Sequence, residues 1–260
     1  MKNNKIKYFT SNFFSNSKIK YGFFTRNGGC SSKPFYSLNC SYNNNDYKKN
    51  VLNNIISTKK ILNLEKTKLK LINQIHGTKI KIINNKNISE KNFADGIITR
   101  DKDISLGILT ADCAPIFLIN PTNQIICALH AGWKGCLNNI ISNGVKKITK
   151  SNIPSKNIVA IIGPCLNQKN FEVDKNFIKK FIKKNPTYEI FFKIKSKNNK
   201  IFFNMRKLIE FQLIESSIKK VLHINLDTYS EESLFFSHRR ENHRNSLPTG
   251  RMINIIGFKQ

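Results

Sequence analysis

Three residues that bind soft or borderline metal ions each stand near the end of an apolar stretch of the sequence. His76 is the last residue before the glycine of "NQIHG", Cys113 is the last residue of "ILTADC" and His130 is the last residue of "CALH". Two imidazoles and a thiolate suit zinc, and such a set also accepts copper. Three protein ligands leave a fourth position open for a reactant. If three strands deliver these side chains to one place, we expect a catalytic metal site.

The spacing of these residues leaves other interpretations open. The gaps of 37 and 17 residues are unlike the compact spacing of a structural zinc finger. His76 and His130 could be half-buried histidines, and Cys113 a small core residue. Alternatively, Cys113 is the nucleophile of a metal-independent cysteine hydrolase, with His130 or His76 as its base. A copper-dependent phenol oxidase is a third alternative, but several coppers need many histidine ligands and the chain has five histidines.

The elements that must position these side chains follow from the hydrophobic pattern. Helical spacing predicts helices at 46–64, 134–149, 174–184 and 205–220. Alternating or continuous apolar runs predict strands at 20–26, 94–100, 104–113, 115–120, 124–133, 157–165, 221–226 and 252–258, with a hairpin at 189–204. The stretches 68–77 and 78–83 suggest a hairpin or two consecutive strands. We therefore expect an α+β fold in which packed mixed β-sheets are flanked by helices, an α/β/β/α-like sandwich, as a single domain over residues 1–260.

The run "LGILTADCAPIFLI" (106–119) interrupts an apolar strand pattern with polar residues. We interpret it as two strand segments that meet at a break, where Pro115 marks the point at which regular pairing stops. Neighbours on a strand point to opposite faces, so Asp112 and Cys113 should not share a role. Asp112 is therefore expected to be structural, or to support a metal ligand from behind.

The charge and cysteine content restrict the classes of partner. The net charge of +28 could indicate a nucleic-acid or membrane surface. However, the lysines are spread along the chain, and 37 Lys, 36 Asn and 38 Ile all have A/T-rich codons. This favours a biased genome over a specific nucleic-acid partner. No apolar stretch of about 18 residues or signal peptide is evident, and no CxxC pair occurs. We expect a cytoplasmic protein with reduced thiols and no membrane partner.

A series of short motifs resembles one known family. In order, they are "TRNGGCSSKPFYSLNCS" (25–41), "NQIHG" (73–77), "ADGIIT" (94–99), "TADCAPIFL" (110–118), "HAGWKG" (130–135), "IGPCLNQKNFEV" (162–173) and "DTYSEESLFFSHRRENHRNSLPTGRM" (227–252). They resemble the laccase-domain proteins over about residues 25–258. That family was long described as multicopper polyphenol oxidases and is now regarded as zinc-dependent purine nucleoside phosphorylases with adenosine deaminase activity.

The resemblance implies a function and a set of residues. It maps the family's catalytic metal ligands onto His76, Cys113 and His130, with Zn²⁺ favoured over copper. The implied substrates are inorganic phosphate and purine nucleosides: inosine, guanosine, adenosine and methylthioadenosine. Two residues depart from the family pattern: His238 stands where a tyrosine is usual, and Lys134 where an arginine is usual.

Phosphorolysis also needs cationic groups that hold phosphate near the ribose. The candidates in this sequence are Arg26, Lys134, Arg239 and Arg240. Each of them could instead be a surface residue or a member of a structural ion pair.

Overall fold

The computed structural model describes residues 5–150, 152–195 and 199–259. The strands are β1 (Tyr8–Phe9), β2 (Ile19–Phe24), β3 (Lys68–Lys70), β4 (Ile80–Ile82), β5 (Gly96–Thr99), β6 (Ile104–Thr110), β7 (Ala114–Asn120), β8 (Ile125–Ala131), β9 (Val159–Ile162), β10 (Glu172–Val173), β11 (Phe192–Lys195), β12 (Lys200–Phe203), β13 (Lys220–His223) and β14 (Met252–Phe258). The α-helices are α1 (Lys48–Ile61), α2 (Trp133–Leu137), α3 (Ile140–Thr149), α4 (Lys175–Lys184), α5 (Met205–Glu215) and α6 (His238–His243). Short 3₁₀-helices span Asn12–Phe14, Ser155–Asn157, Gln168–Asn170 and Pro186–Phe191.

Two mixed sheets form the centre of the fold. One has five strands in the order β1-β2-β14-β6-β3, and the other has six in the order β13-β9-β7-β8-β5-β4. The pairs β3–β6, β4–β5 and β9–β13 are parallel, whereas the other neighbours in these two sheets are antiparallel. A small antiparallel sheet, β10-β12-β11, lies apart from them.

The two large sheets pack face to face, and helices cover their outer faces. Alternate residues of β7 show this, because Phe117 and Ile119 enter the core between the sheets while Ile116 and Leu118 pack in the core that contains α3 and α5. Strands covered on both faces need continuous apolar sequence, as β7 and β8 have. Helix α1 packs on the five-stranded sheet. This α/β/β/α sandwich confirms the predicted fold class.

Two chain segments cross from one sheet to the other at the same edge. Residues 71–79 connect β3 to β4, and residues 111–113 connect β6 to β7. Because β3 and β6 are parallel neighbours, both crossings begin at the same end of the five-stranded sheet. Of the two alternatives for 68–77 and 78–83, the hairpin is wrong and the two consecutive strands are confirmed, although β3 and β4 belong to different sheets.

Other predictions were partly correct. The hairpin at 189–204 is confirmed by the pairing of β11 with β12, and residues 196–198 of its predicted turn, "KSKNN" (195–199), lie outside the described residues. The single helix predicted at 134–149 is wrong, because Asn139 adopts a left-handed φ of 66° and separates α2 from α3. Helix α6 was not predicted, since "HRRENH" has no apolar periodicity.

Pro115 does not end the strand pairing. It lies inside β7, opposite His130 of β8, and its carbonyl accepts a hydrogen bond from the Gly163 N–H at 2.9 Å. The expectation that pairing stops there is wrong, because the break lies before β7, in residues 111–113. Thus the polar interruption is a crossing between sheets.

All six cysteines are unpaired thiols. Among the helices of the described segments, none has both the length and the apolar character required to cross a bilayer.

Phe117 tests the packing between the sheets. It is fully buried and stacks on Phe23 with ring centroids 4.8 Å apart. We expect Phe117→Ala to lower the free energy of unfolding by about 3–5 kcal/mol, measured by urea denaturation. The matched control is Phe93→Ala, whose ring is 59% exposed and whose loss should cost about 1 kcal/mol or less. Equal costs for the two variants would contradict the proposed core.

Candidate metal centre

The sheet crossings and the end of β8 bring three ligand-type side chains together. His76 lies in the crossing 71–79, Cys113 directly precedes β7, and His130 is the penultimate residue of β8. Their potential ligand atoms all lie within 4.8 Å of one another. The imidazole rings of the two histidines meet edge to face, with centroids 4.9 Å apart. The three residues selected from the sequence are therefore neighbours in space.

One buried carboxylate, Asp95, positions both histidines. Its Oδ1 accepts hydrogen bonds from His130 Nδ1 at 2.8 Å and from the His76 N–H at 2.9 Å. Its Oδ2 accepts from the N–H groups of Gly77 at 2.6 Å and Ile75 at 3.2 Å. Because His130 Nδ1 faces this acceptor, Nε2 is left for Cys113 or a metal. Asp95 thus orients one ligand ring and anchors the backbone of the other.

The backbone at His76 needs this anchoring. Its φ is 57°, in the left-handed region that a non-glycine residue adopts only at a cost. Three successive N–H groups of this turn, at residues 75–77, point at the Asp95 carboxylate, which compensates that cost. Burial raises the pKa of Asp95, but its hydrogen bonds to His130 and Gly77 outweigh this effect and lower the pKa. The carboxylate is therefore ionised at neutral pH.

Cys113 and His130 favour each other's charged forms. Burial raises the pKa of the Cys113 thiol, but the charge and hydrogen bond of His130, followed by those of His76, outweigh burial and lower it. Burial likewise lowers the pKa of His130, while the Cys113 charge and the Asp95 hydrogen bond raise it overall. A thiolate is the form of cysteine that binds metals and attacks electrophiles, so the pair supports either chemistry.

Gly132 leaves room for the close approach of Cys113 and His76. A Cβ at this position would lie 3.0 Å from Cys113 Sγ and 3.2 Å from the ring of His76. The "HAGW" sequence thus places a ligand, His130, and then a residue small enough to let the other two ligands approach.

The cluster lies on the wall of a cavity of about 1110 Å³. One part of the wall is aromatic and includes Trp133 and Phe177, whose ring centroids are 5.0 Å apart. The wall also includes the polar or cationic side chains of His238, Arg239 and Arg251. A cavity with an apolar wall and a few convergent polar groups is typical of a small-molecule site.

The four cationic residues selected from the sequence have different positions. Arg239 lines the cavity. Arg240 is buried and donates to the carbonyls of Thr228, Tyr229 and Phe235, and Arg26 donates to the Tyr36 carbonyl; neither is on the cavity lining. Lys134 is exposed, with its ammonium 5.6 Å from the Trp133 ring. Of these four, the structure brings Arg239 alone to the cavity wall.

Asp112 was expected to be structural or to support a metal ligand, and its hydrogen bonds give it the structural role. Its φ is 89°, its Oδ1 accepts from the Thr228 hydroxyl at 2.7 Å and its Oδ2 accepts from the Arg239 N–H at 2.7 Å. These bonds join the sheet crossing at 111–113 to Thr228 and to the first turn of α6. Asp112 therefore helps to position Arg239 rather than the histidines.

Two residues of this site were missed in the sequence. Asp95 lies in "ADGIIT" and Arg251 in "PTGRM", both within segments that resemble the family. An acid directly before a buried strand was the available signal for Asp95. Arg251 gave no comparable signal, because it follows a polar stretch that contains several other cations.

Comparison with known proteins gives relatives over nearly the whole chain. A purine nucleoside phosphorylase of Rickettsia conorii is 34% identical over 246 residues, which is 94% of this chain and 98% of that protein. The purine nucleoside phosphorylase YlmD of Bacillus subtilis is 29% identical, covering 95% of this chain and 91% of that one.

Solved structures show the same fold. The Bacillus licheniformis hypothetical protein YfiH superposes with a TM-score of 0.85 at 28% identity, over 95% of this chain and 94% of that one. YlmD from Geobacillus stearothermophilus has a TM-score of 0.83 at 24% identity, over 94% and 93%, and is similar in fold. A sequence model of the family described as multi-copper polyphenol oxidoreductase laccase matches residues 20–259, and the chain therefore belongs to this family.

Proposed function

We propose that the protein is a zinc-dependent purine nucleoside phosphorylase that also deaminates adenosine. The observation that carries the proposal is the His76–Cys113–His130 cluster on the wall of a cavity large enough for a nucleoside and phosphate. The phosphorylase names of relatives that align over more than nine-tenths of the chain support it.

The cluster has the properties that a zinc site requires. Two imidazoles and a thiolate are zinc ligands, and Asp95 provides the carboxylate that such histidines usually bond on their far side. Bound zinc would supply a Lewis acid at the cavity wall. The described residues contain one three-ligand cluster of this kind, which does not resemble a multicopper centre.

The remaining cavity residues suit the reaction. In phosphorolysis, a phosphate oxygen bonds to ribose C1′ while the bond from C1′ to the purine nitrogen breaks, and the base leaves with the electron pair. Trp133 and Phe177 offer an aromatic wall on which a purine can stack. Arg239, whose guanidinium lies 5.3 Å over the ring of Phe171, offers a cation for phosphate on the cavity wall.

A direct test combines metal analysis with product chromatography. We expect about one zinc per chain, phosphate-dependent release of hypoxanthine from inosine and of adenine from adenosine, and phosphate-independent conversion of adenosine to inosine. Cys113→Ala should lose both the metal and turnover, whereas the matched control Cys127→Ala, at a buried cysteine of β8, should keep both. Metal and turnover retained in Cys113→Ala would refute the proposed site. Phenol oxidation with bound copper would favour the oxidase alternative.

Asp95→Asn tests the support of the two histidines. The asparagine amide cannot accept from all four N–H groups that now bond the carboxylate, so both ligands should lose their fixed orientation. We expect zinc affinity to fall about 10–100-fold, measured by competition with a chromophoric chelator. The control is Asp101→Asn, at an acid that bonds Asn85 and is not on the cavity lining. Unchanged zinc affinity in Asp95→Asn would show that the carboxylate has no such role.

Thiol reactivity separates the metal site from the cysteine-hydrolase alternative. The pKa of Cys113 is lowered, so in chelator-treated protein its alkylation by iodoacetamide should reach half its maximal rate below pH ~8.5, where a free cysteine does. Cys30 is exposed, but partial desolvation of its thiol raises its pKa. Its alkylation can be followed in the same mass spectra and should occur only at higher pH. Zinc should protect Cys113. A protein that stays active in chelator and loses activity through alkylation alone would be a hydrolase.

A further inference from the structure

Two arginines on the cavity wall have no acidic partner. Arg239 and Arg251 both line the cavity, and within the described ranges neither guanidinium lies within 4.0 Å of a carboxylate. By contrast, Arg240 bonds Glu241 and three carbonyls, and Arg244 bonds both oxygens of Glu232. Among the described residues, the guanidinium groups of Arg239 and Arg251 therefore form no ion pair.

Arg251 has hydrogen-bond donors available for a ligand. Its Nη1 donates to the carbonyls of Thr249 and Gly250, each at 3.0 Å, while its Nε and Nη2 have no hydrogen-bond partner in the part of the chain that the structure describes. The side chain is half-buried, and Cys113 and Asp112 line the same cavity. A partly desolvated guanidinium with open donors is suited to bind an anion beside the metal ligands.

The acids on the cavity wall do not supply that anion. Asp112 accepts from the Thr228 hydroxyl and the Arg239 N–H. Glu172 bonds the ammonium of Lys200 at 2.8 Å, and Asp174 caps helix α4 by accepting from the Phe177 N–H. Since each acid is engaged elsewhere, Arg239 and Arg251 remain open to an anion from solution.

We propose that Arg251, with Arg239, forms the phosphate-binding subsite of the cavity. Arg239 is held for this role, because its N–H bonds Asp112, its Nη1 bonds the Glu172 carbonyl at 2.9 Å and its guanidinium lies 5.3 Å over Phe171. The two guanidinium groups present planar donors that match phosphate oxygens. The subsite rests on the proposed phosphorylase function, and it places inorganic phosphate next to the Cys113 side of the metal cluster.

The experiment compares variants of zinc-loaded protein. The set is Arg251→Gln, Arg251→Lys and Arg239→Gln, with Arg100→Gln as the control at an exposed arginine that is not on the lining. Kinetics give the KM for phosphate and for inosine, and calorimetry gives the affinity for inorganic phosphate alone. We expect Arg251→Gln and Arg239→Gln to weaken phosphate at least about tenfold in both measurements. The KM for inosine and the zinc content should stay within about twofold, and Arg251→Lys should be intermediate.

Distinct outcomes separate the subsite from the proposed function. If the wild type shows no phosphorolysis but Arg251→Gln binds inorganic phosphate more weakly than the wild type does, the subsite is supported and the proposed function is wrong. Phosphate affinity and KM that do not change in Arg251→Gln overturn the subsite even if the enzyme is active. If Arg251→Gln weakens the binding of AMP but not of inorganic phosphate, the proposed phosphate subsite is also wrong. If Arg251→Gln melts more than a few degrees below wild type, Arg239→Gln decides by the same criteria.

Discussion

The hydrogen bonds of Asp95 are the interaction on which the site depends. One fully buried carboxylate holds the ring of His130 and the three N–H groups of the turn at residues 75–77. These two ligands come from different segments, a strand end and a sheet crossing. A buried carboxylate is costly unless it is fully hydrogen-bonded, and here four donors meet that cost while aligning the ligands. The positions of the two histidines are thus set by hydrogen bonds within the protein.

The topology explains why the segments meet. The parallel pairing of β3 with β6 makes both crossings leave the five-stranded sheet at one end, and β8 ends where β7 begins because those strands are antiparallel. The crossings interrupt the continuous apolar sequence that the doubly covered strands require. Polar residues, and residues with a left-handed backbone conformation such as His76, can therefore lie there without disturbing the core. The cavity forms at that edge of the sheets.

The arginines of the segment 235–251 have different functions despite their similar sequence context. Arg240 is buried and satisfied by main-chain carbonyls, which stabilises the segment. Arg239, its neighbour, reaches the cavity because Asp112 and Phe171 hold it there. Adjacent residues of a short helix point in different directions, so the pair "RR" contains one structural cation and one on the cavity wall. The large net charge of the chain does not distinguish them.

The sequence by itself determined the fold class and the three members of the proposed metal cluster. Apolar periodicity is a local property that depends on burial, and ligand-type residues at strand ends are visible together with it. Only the tertiary structure decided that 68–77 and 78–83 belong to different sheets, that Asn139 divides a helix, and that Asp95 and Arg251 join the site. Sheet pairing depends on contacts between residues distant in sequence, and the partners of a buried charge depend on which donors surround it. Neither is encoded in the spacing along the chain.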